Sequence, residues 1–363
     1  MRILSDIDEF LDYLTFEDLK TNYLKEKNEL LKRIELEEQE KRVENVRKLR
    51  SEIRVDQEHR KILNACLYPF ATKVSPLRKL GYYFLRAAPL LEKGTSNLDF
   101  LIYKSASNGA AIFGEAKGSV SDPSQTVRET LDRRDVVESN RDYANRTYLG
   151  GANVSYEYVL GVSSVDSNNV AKAVIRRNGG LIIWHSERSQ NPQLTIFVPS
   201  EARIRPSMMH AEDQLNKELG RKISTSLEFK TFFQQSHIAA KLLVLLSIDK
   251  LSADETFKPE DLIKVVETEL DYVDDSEVIL REARTILQTG IDIGFVGVIG
   301  ENRYKIRSRY KSAASRETDL MDKWVEHRLE ESFNQKTGAV LGQLKSKYRN
   351  LREQKGDLRR YLK

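Results

Sequence analysis

Between Phe16 and Lys61 the chain has neither glycine nor proline, and about half of these residues are Lys, Arg, Glu or Asp, nearly balanced in sign. Glycine and proline are the usual helix terminators, so a long run without them, built from good helix formers, predicts one or two extended helices. Charges at helical spacing add local support, as in Glu35/Gln39 with Arg42 and Glu40/Glu44 with Arg47. The apolar residues Leu24, Leu31, Ile34, Val43, Val46, Leu49 and Ile53 form a narrow stripe rather than clean heptads. Such a stripe fits a solvated helix docked along its own protein, and it equally fits a dimerising or DNA-embracing arm. Residues 1–56 are read as this charged helical arm, a candidate contact for a homodimer.

At 363 residues the chain is too long for one compact domain. A single cysteine, Cys66, excludes a disulfide scaffold and a cysteine-built zinc site. Met1 to Phe10 does not read as a signal peptide, and the longest apolar stretch, Ile238 to Ile248, is interrupted by Lys241. That stretch is far short of the roughly 20 residues a membrane span needs. The expectation is a cytoplasmic protein with no membrane partner. The net charge of +4 gives little reason to expect a polyanionic partner. It conceals an uneven distribution, because from Glu301 to Lys363 basic residues exceed acidic ones by about eight.

The chemistry-bearing residues lie between these charged ends. After a helix over Gln57 to Lys73 and another over Leu77 to Glu92, two short apolar runs follow, Leu98 to Lys104 and Ala110 to Lys117. They are joined by a segment holding the Asn108-Gly109 turn signal, which predicts adjacent antiparallel strands. Counting outward from Ser107 sets Asp99 opposite Glu115, Leu101 opposite Phe113 and Tyr103 opposite Ala111. Directly opposed residues share a face, and Lys117 returns to the face of Glu115 because strand side chains alternate with period two.

Two carboxylates opposed in an apolar sheet repel one another, so the arrangement calls for a cation. Asp99, Glu115 and the carbonyl between Glu115 and Lys117 are hard oxygen donors of the kind Mg²⁺ takes, with Mn²⁺ able to substitute. A bound divalent ion acidifies water and polarises a phosphoryl oxygen, and the neighbouring Lys117 ammonium can orient that water. The histidines His59, His185, His210, His237 and His327 show no metal-ligand spacing, and no phosphate-binding glycine motif is present.

Asp99 followed by Glu115-Ala116-Lys117, with apolar strand residues before each acid, resembles the motif of the PD-(D/E)xK nuclease superfamily. The resemblance runs from about Gln57 to Pro199. It implies an αβββαβ restriction-endonuclease-like core in which Asp99 and Glu115 bind Mg²⁺ and Lys117 is catalytic. The remaining core elements would be a helix over Asp122 to Tyr143, a strand over Tyr156 to Ser163, a helix over Asn169 to Arg177 and a strand over Leu181 to His185. Asn97-Leu98-Asp99 stands where many members have Pro-Asp. Many members also carry a glutamate on the first core helix. Glu58 is the best-placed candidate, with Glu52 and Glu92 competing. Gln125 corresponds to a site-proximal glutamine that some members place on the helix after the lysine.

Beyond a connector from Pro199 to Gly220, helices are expected over Leu227 to Ile248, Pro259 to Leu270 and Ser276 to Thr289. A hairpin of Phe295 to Ile299 and Tyr304 to Arg307 follows, turning at Gly300-Glu301-Asn302. Three helices closed by a hairpin resemble a winged helix, whose third helix enters the DNA major groove. On that reading Arg281, Arg284 and Gln288 face the groove, and Arg303, Lys305, Arg307 and Arg309 arm the wing. The acidic flank from Asp271 to Glu277 would repel phosphate, and winged helices also bind proteins.

The expected organisation is a mixed α/β chain in four parts. These are the arm, the nuclease-like core at 57–200, a mostly α winged-helix-like domain at 221–311 and a basic helical tail at 312–363. The expected function is a Mg²⁺-dependent DNA endonuclease, in the manner of a type II restriction endonuclease. The alternatives are a non-catalytic winged-helix DNA-binding or regulatory protein and a structure-specific DNA repair nuclease.

Overall fold

The computed structural model describes residues 9–71, 76–87, 89–90, 98–105, 109–151, 154–186, 194–197, 256–261, 276–307 and 313–361. The chain divides into two units, Met1–Ser51 with Met321–Lys363, and Glu52–Leu320.

The second unit is built on a mixed six-stranded sheet. Helix α1 (Glu17–Ala71), which enters this unit with its last turns, and the short α2 (Pro76–Lys79) precede strands β1 (Tyr82–Ala87), β2 (Phe100–Lys104) and β3 (Ala110–Ala116). Then come α3 (Pro123–Ser139), α4 (Arg141–Tyr148), β4 (Ser155–Ser163), α5 (Ser164–Arg176), β5 (Ile182–Ser186) and β6 (Leu194–Phe197). The strands lie in sequence order. β1, β2 and β3 are antiparallel neighbours, β3, β4 and β5 run parallel, and β6 returns antiparallel. Parallel neighbours require crossovers, which α3 with α4 and then α5 provide.

Both faces of the sheet are covered, which explains why its central strands read as continuous apolar runs. Phe100, Ile102, Ile112, Ala116 and Trp184 pack with Ile62, Leu63, Cys66 and Phe70 of α1. On that side the Trp184 ring stacks with Phe70 at 5.8 Å and Phe100 at 6.1 Å. The alternate residues Leu101, Ala111, Phe113, Leu160 and Ile183 pack instead with Val127 and Val137 of α3 and Val170 and Val174 of α5. Period-two alternation therefore decides which helix each strand residue meets.

Several sequence expectations are corrected. No separate helix begins at Gln57, because no glycine or proline interrupts α1 before Pro69, two residues from its end. The helix expected over Leu77 to Glu92 is α2 followed by strand β1. Gly81 adopts a left-handed φ of 87° and donates its N–H to the Arg78 carbonyl, while its own carbonyl accepts from Ser105 at 3.0 Å. That glycine turn ends the helix and starts β1 along β2, where the aromatic run Tyr82-Tyr83-Phe84 suits a strand. The helix expected over Asp122 to Tyr143 is split at Asn140 into α3 and α4, and the one expected from Asn169 begins at Ser164. Asp122 caps α3 by accepting from the N–H groups of Ser124 and Gln125, with Pro123 in the first turn.

Further along the same unit, α6 (Ser276–Asp292) precedes the hairpin of β7 (Val296–Gly300) and β8 (Arg303–Ile306). Phe257 adds an isolated bridge to Tyr304, with both N–H···O contacts at 3.0 Å. The helix expected over Leu227 to Ile248 lies outside the described residues. Of the one expected over Pro259 to Leu270, only residues 259–261 are described, and they are helical.

In the first unit α1 meets α7 (Ala313–Tyr361). Asp18 pairs with Lys355, Glu26 with Lys347, Glu38 with Lys336, Arg42 with Glu326, and Arg50 with Asp322. Partner numbers fall as α1 numbers rise, so the two helices are antiparallel. Phe10, Leu14, Leu19 and Tyr23 pack with Leu344 and Tyr348. Ile34 is buried, whereas Leu24 and Val43, expected on the contact stripe, are exposed. Among the described residues no helix is long and apolar enough to cross a membrane.

Candidate active site

The site lies where β2 begins and β3 ends. The β2–β3 register pairs Leu101 with Phe113 and Tyr103 with Ala111. Just before β2, the Asp99 N–H donates to the Gly114 carbonyl at 2.8 Å, one residue out of the register in which Phe100 faces Gly114. Glu115 follows Phe113 onto the face covered by α3 and Lys117 reaches back to it, whereas Asp99, expected opposite Glu115, lies outside the paired register with His59 of α1 3.8 Å away. Asn108 of the turn lies outside the described residues.

The three residues come together. Asp99 Oδ2 accepts from the Ala116 N–H at 2.7 Å, which ties the first carboxylate to the strand that carries the second. Lys117 Nζ stands 2.8 Å from Glu115 Oε1. Glu115 is buried, and Asp99 is only 15% exposed. Burial, and then the neighbouring Glu115 charge, push the Asp99 carboxyl well above the ordinary carboxylate range.

Two further residues complete the site. Arg133 of α3 reaches Glu115 Oε1 with Nη1, so two cations share one carboxylate oxygen. Glu115 Oε2 is buried with no hydrogen-bond partner among the described residues. His59 of α1 places Nε2 3.8 Å from Asp99 Oδ2. Its approach depends on Gly118, since a Cβ there would collide with main-chain atoms of Glu58 and His59. The helix can cross the end of β3 only because residue 118 has no side chain.

Neither Arg133 nor His59 stands out in the sequence. Helical spacing holds the signal for Arg133, because Gln125, Glu129 and Arg133 recur every four residues on one face of α3. Gln125 itself is exposed and donates to Glu129 at 2.9 Å, about two turns along α3 from Arg133. Glu58 sits beside the site by its main chain, and its carboxylate pairs with Lys61 of its own helix at 3.3 Å. Burial pushes the Cys66 thiol far up, with Asp99 adding to the shift, so Cys66 is held as a neutral thiol in the core.

The donor set suits a hard divalent cation. Two carboxylates meet, and one of their oxygens is buried without a partner among the described residues, a condition costly enough to call for a ligand. Among the described residues no group of three or more His, Cys, Asp and Glu side chains is set to hold a metal. Mg²⁺ needs no such group, because it commonly takes one or two carboxylates and keeps its waters.

The groove and wing residues are placed less closely. Arg284 and Gln288 are exposed on α6, where Gln288 donates to Asp292 at 2.8 Å. The Arg281 side chain lies outside the described residues, as does Arg309. Arg303 and Arg307 are exposed on and after β8, and Lys305 is half-buried.

The chain matches no protein-family model, no curated protein and no solved structure.

Proposed function

We propose that the chain is a Mg²⁺-dependent DNA endonuclease that hydrolyses phosphodiester bonds. The observation that carries this reading is Glu115, buried beside Asp99 with Lys117 on one oxygen and the other oxygen unpartnered among the described residues. The succession of helix, three strands, helix and strand from α1 to β4 supports it, being the order that the likeness to the PD-(D/E)xK nucleases implies.

Asp99 and Glu115 would hold the divalent ion, Mg²⁺ or Mn²⁺. When bound, that ion supplies an acidified water and charge neutralisation at the phosphoryl oxygens. The Ala116 N–H fixes Asp99 Oδ2, so the first carboxylate is oriented before any ligand arrives. The Lys117 ammonium, positioned by Glu115, orients the attacking water and balances negative charge as the phosphorus centre becomes crowded. Burial of Glu115 keeps competing water from its carboxylate and strengthens each of these charge interactions.

The exposed Arg284, Arg303 and Arg307 supply cations for holding DNA backbone in the manner of a winged helix, and a protein with only that role is the competing reading. One site of this kind cuts one strand, so double-strand cleavage would take a second copy of the chain.

Supercoiled plasmid incubated with the purified protein is expected to be nicked or linearised with Mg²⁺ and left intact with EDTA, and Lys117→Ala is expected to abolish the cutting. Cutting by Lys117→Ala at the wild-type rate would remove the site assignment. Binding of duplex without hydrolysis would favour the regulatory reading.

A further inference from the structure

Arg133 gives the candidate site a property that two carboxylates and a lysine do not have. It projects from α3 onto Glu115 Oε1, the oxygen that Lys117 Nζ already occupies at 2.8 Å. With both carboxyls ionised, Asp99 and Glu115 carry two negative charges against two positive ones on Lys117 and Arg133, so the cluster holds its own counter-charges without any metal. The Arg133 side chain is 26% exposed, while that of Glu115 is 2% exposed. The guanidinium therefore has an outlet towards solvent that the carboxylate lacks.

A hard divalent cation binds best where acidic charge is in excess, and a fixed guanidinium on one of its ligands opposes it. Without Arg133 the two carboxylates, with Asp99 held beside Glu115 by the Ala116 N–H, would keep a net negative charge. Such a cluster is costly to fold and quick to bind a cation.

We infer that Arg133 is a built-in counter-charge, which holds Asp99 and Glu115 assembled in the metal-free protein and competes with the divalent cation for Glu115. It is a positioning residue acting through Glu115, and it sets metal affinity low enough that loading follows the supply of metal and substrate charge. The inference rests on the metal site proposed above.

The test measures Mg²⁺ binding by calorimetry and melting temperature in EDTA and in saturating Mg²⁺, on the full chain. Arg133→Gln is expected to tighten Mg²⁺ binding by about tenfold, the equivalent of one charge-assisted hydrogen bond removed from competition. It is also expected to lower the melting temperature in EDTA and to recover most of the loss in Mg²⁺, whereas Arg133→Lys keeps the charge and stays within about threefold of wild-type affinity. Arg133→Gln combined with Asp99→Asn removes one charge of each sign, so it should regain stability in EDTA even if the single variant does not fold there. Unchanged or weaker Mg²⁺ binding by Arg133→Gln, a stability loss that persists in Mg²⁺, or a double variant no more stable than the single would overturn the inference while leaving the metal site standing. Failure of wild type and Arg133→Gln alike to bind Mg²⁺ would overturn the metal site and the inference together.

Discussion

The Ala116 main chain donates its N–H to Asp99 Oδ2 at 2.7 Å, so the backbone between Glu115 and Lys117 also orients the first carboxylate. This hydrogen bond connects the two strands at the point where their acidic residues meet. It forms where the β2–β3 register ends at Phe100 and Gly114, with the Asp99 N–H on the Gly114 carbonyl and the Asp99 side chain returning to Ala116.

This bond separates two substitutions that sequence alone would treat as equivalent. Asp99→Asn keeps an oxygen to accept from Ala116 and loses only the charge. It is expected to fold with a melting temperature within a few degrees of wild type and to lose on the order of a thousandfold in plasmid nicking, several kcal/mol of charge stabilisation. Asp99→Ala loses the acceptor as well and leaves a buried N–H unpaired, which costs a further ~1–3 kcal/mol of folding stability. Thermal melts and nicking rates on both variants check this. Equal stability of the two would show that the Ala116 bond contributes nothing.

Gly118 governs the other side of the site. Any side chain there would collide with the main chain of Glu58 and His59, and backbone cannot be repacked as a flexible side chain can. Gly118→Ala is expected to push α1 away from the end of β3, with a loss of ~1–3 kcal/mol. It should also move His59 off Asp99. Fluorescence-monitored urea unfolding gives the first quantity, and the His59 imidazole shifts by NMR give the second. A variant as stable as wild type, with unmoved His59 resonances, would contradict this crossing.

The legible parts of the site are those set by short connections and period two. The β2–β3 pairing follows from two apolar runs and a short turn, so the residue pattern alone brings the start of β2, next to Asp99, to the end of β3 that carries Glu115. Strand β1 is not legible in this way, because its alternative as a helix is lost only through the Gly81 turn and pairing with β2, which are tertiary facts. Arg133 cannot be told from Arg128 and Arg134 without the phase of α3 over the sheet. His59 depends on a helix crossing fixed by a glycine nearly sixty residues later. The basic tail reads as free to meet a polyanion, yet Lys336, Lys347 and Lys355 are matched to acids of α1 some three hundred residues away, a pairing no local pattern encodes.

That pairing carries the last prediction. The hydrogen bond from Lys347, whose Nζ stands 2.7 Å from Glu26 Oε1, holds the Glu26 carboxyl below its ordinary value of 4.5, and that from Lys355 holds Asp18 below 3.8. A carboxylate with a depressed folded value stabilises the fold fully above its ordinary value and loses that contribution as the pH falls through the depressed one. The antiparallel contact of α1 and α7 should therefore keep its strength from neutral pH down to about pH 4.5 and weaken below it. Both carboxylates are exposed to solvent, so the pairs contribute little and salt should reduce them. Glu26→Lys sets like charges against Lys347 and is expected to speed hydrogen exchange along residues 321–361, and adding Lys347→Glu should restore the slow exchange. If the double reversal exchanged as fast as the single one, the helices would owe their contact to Leu19, Tyr23, Leu344 and Tyr348 alone, and acid would leave it unchanged.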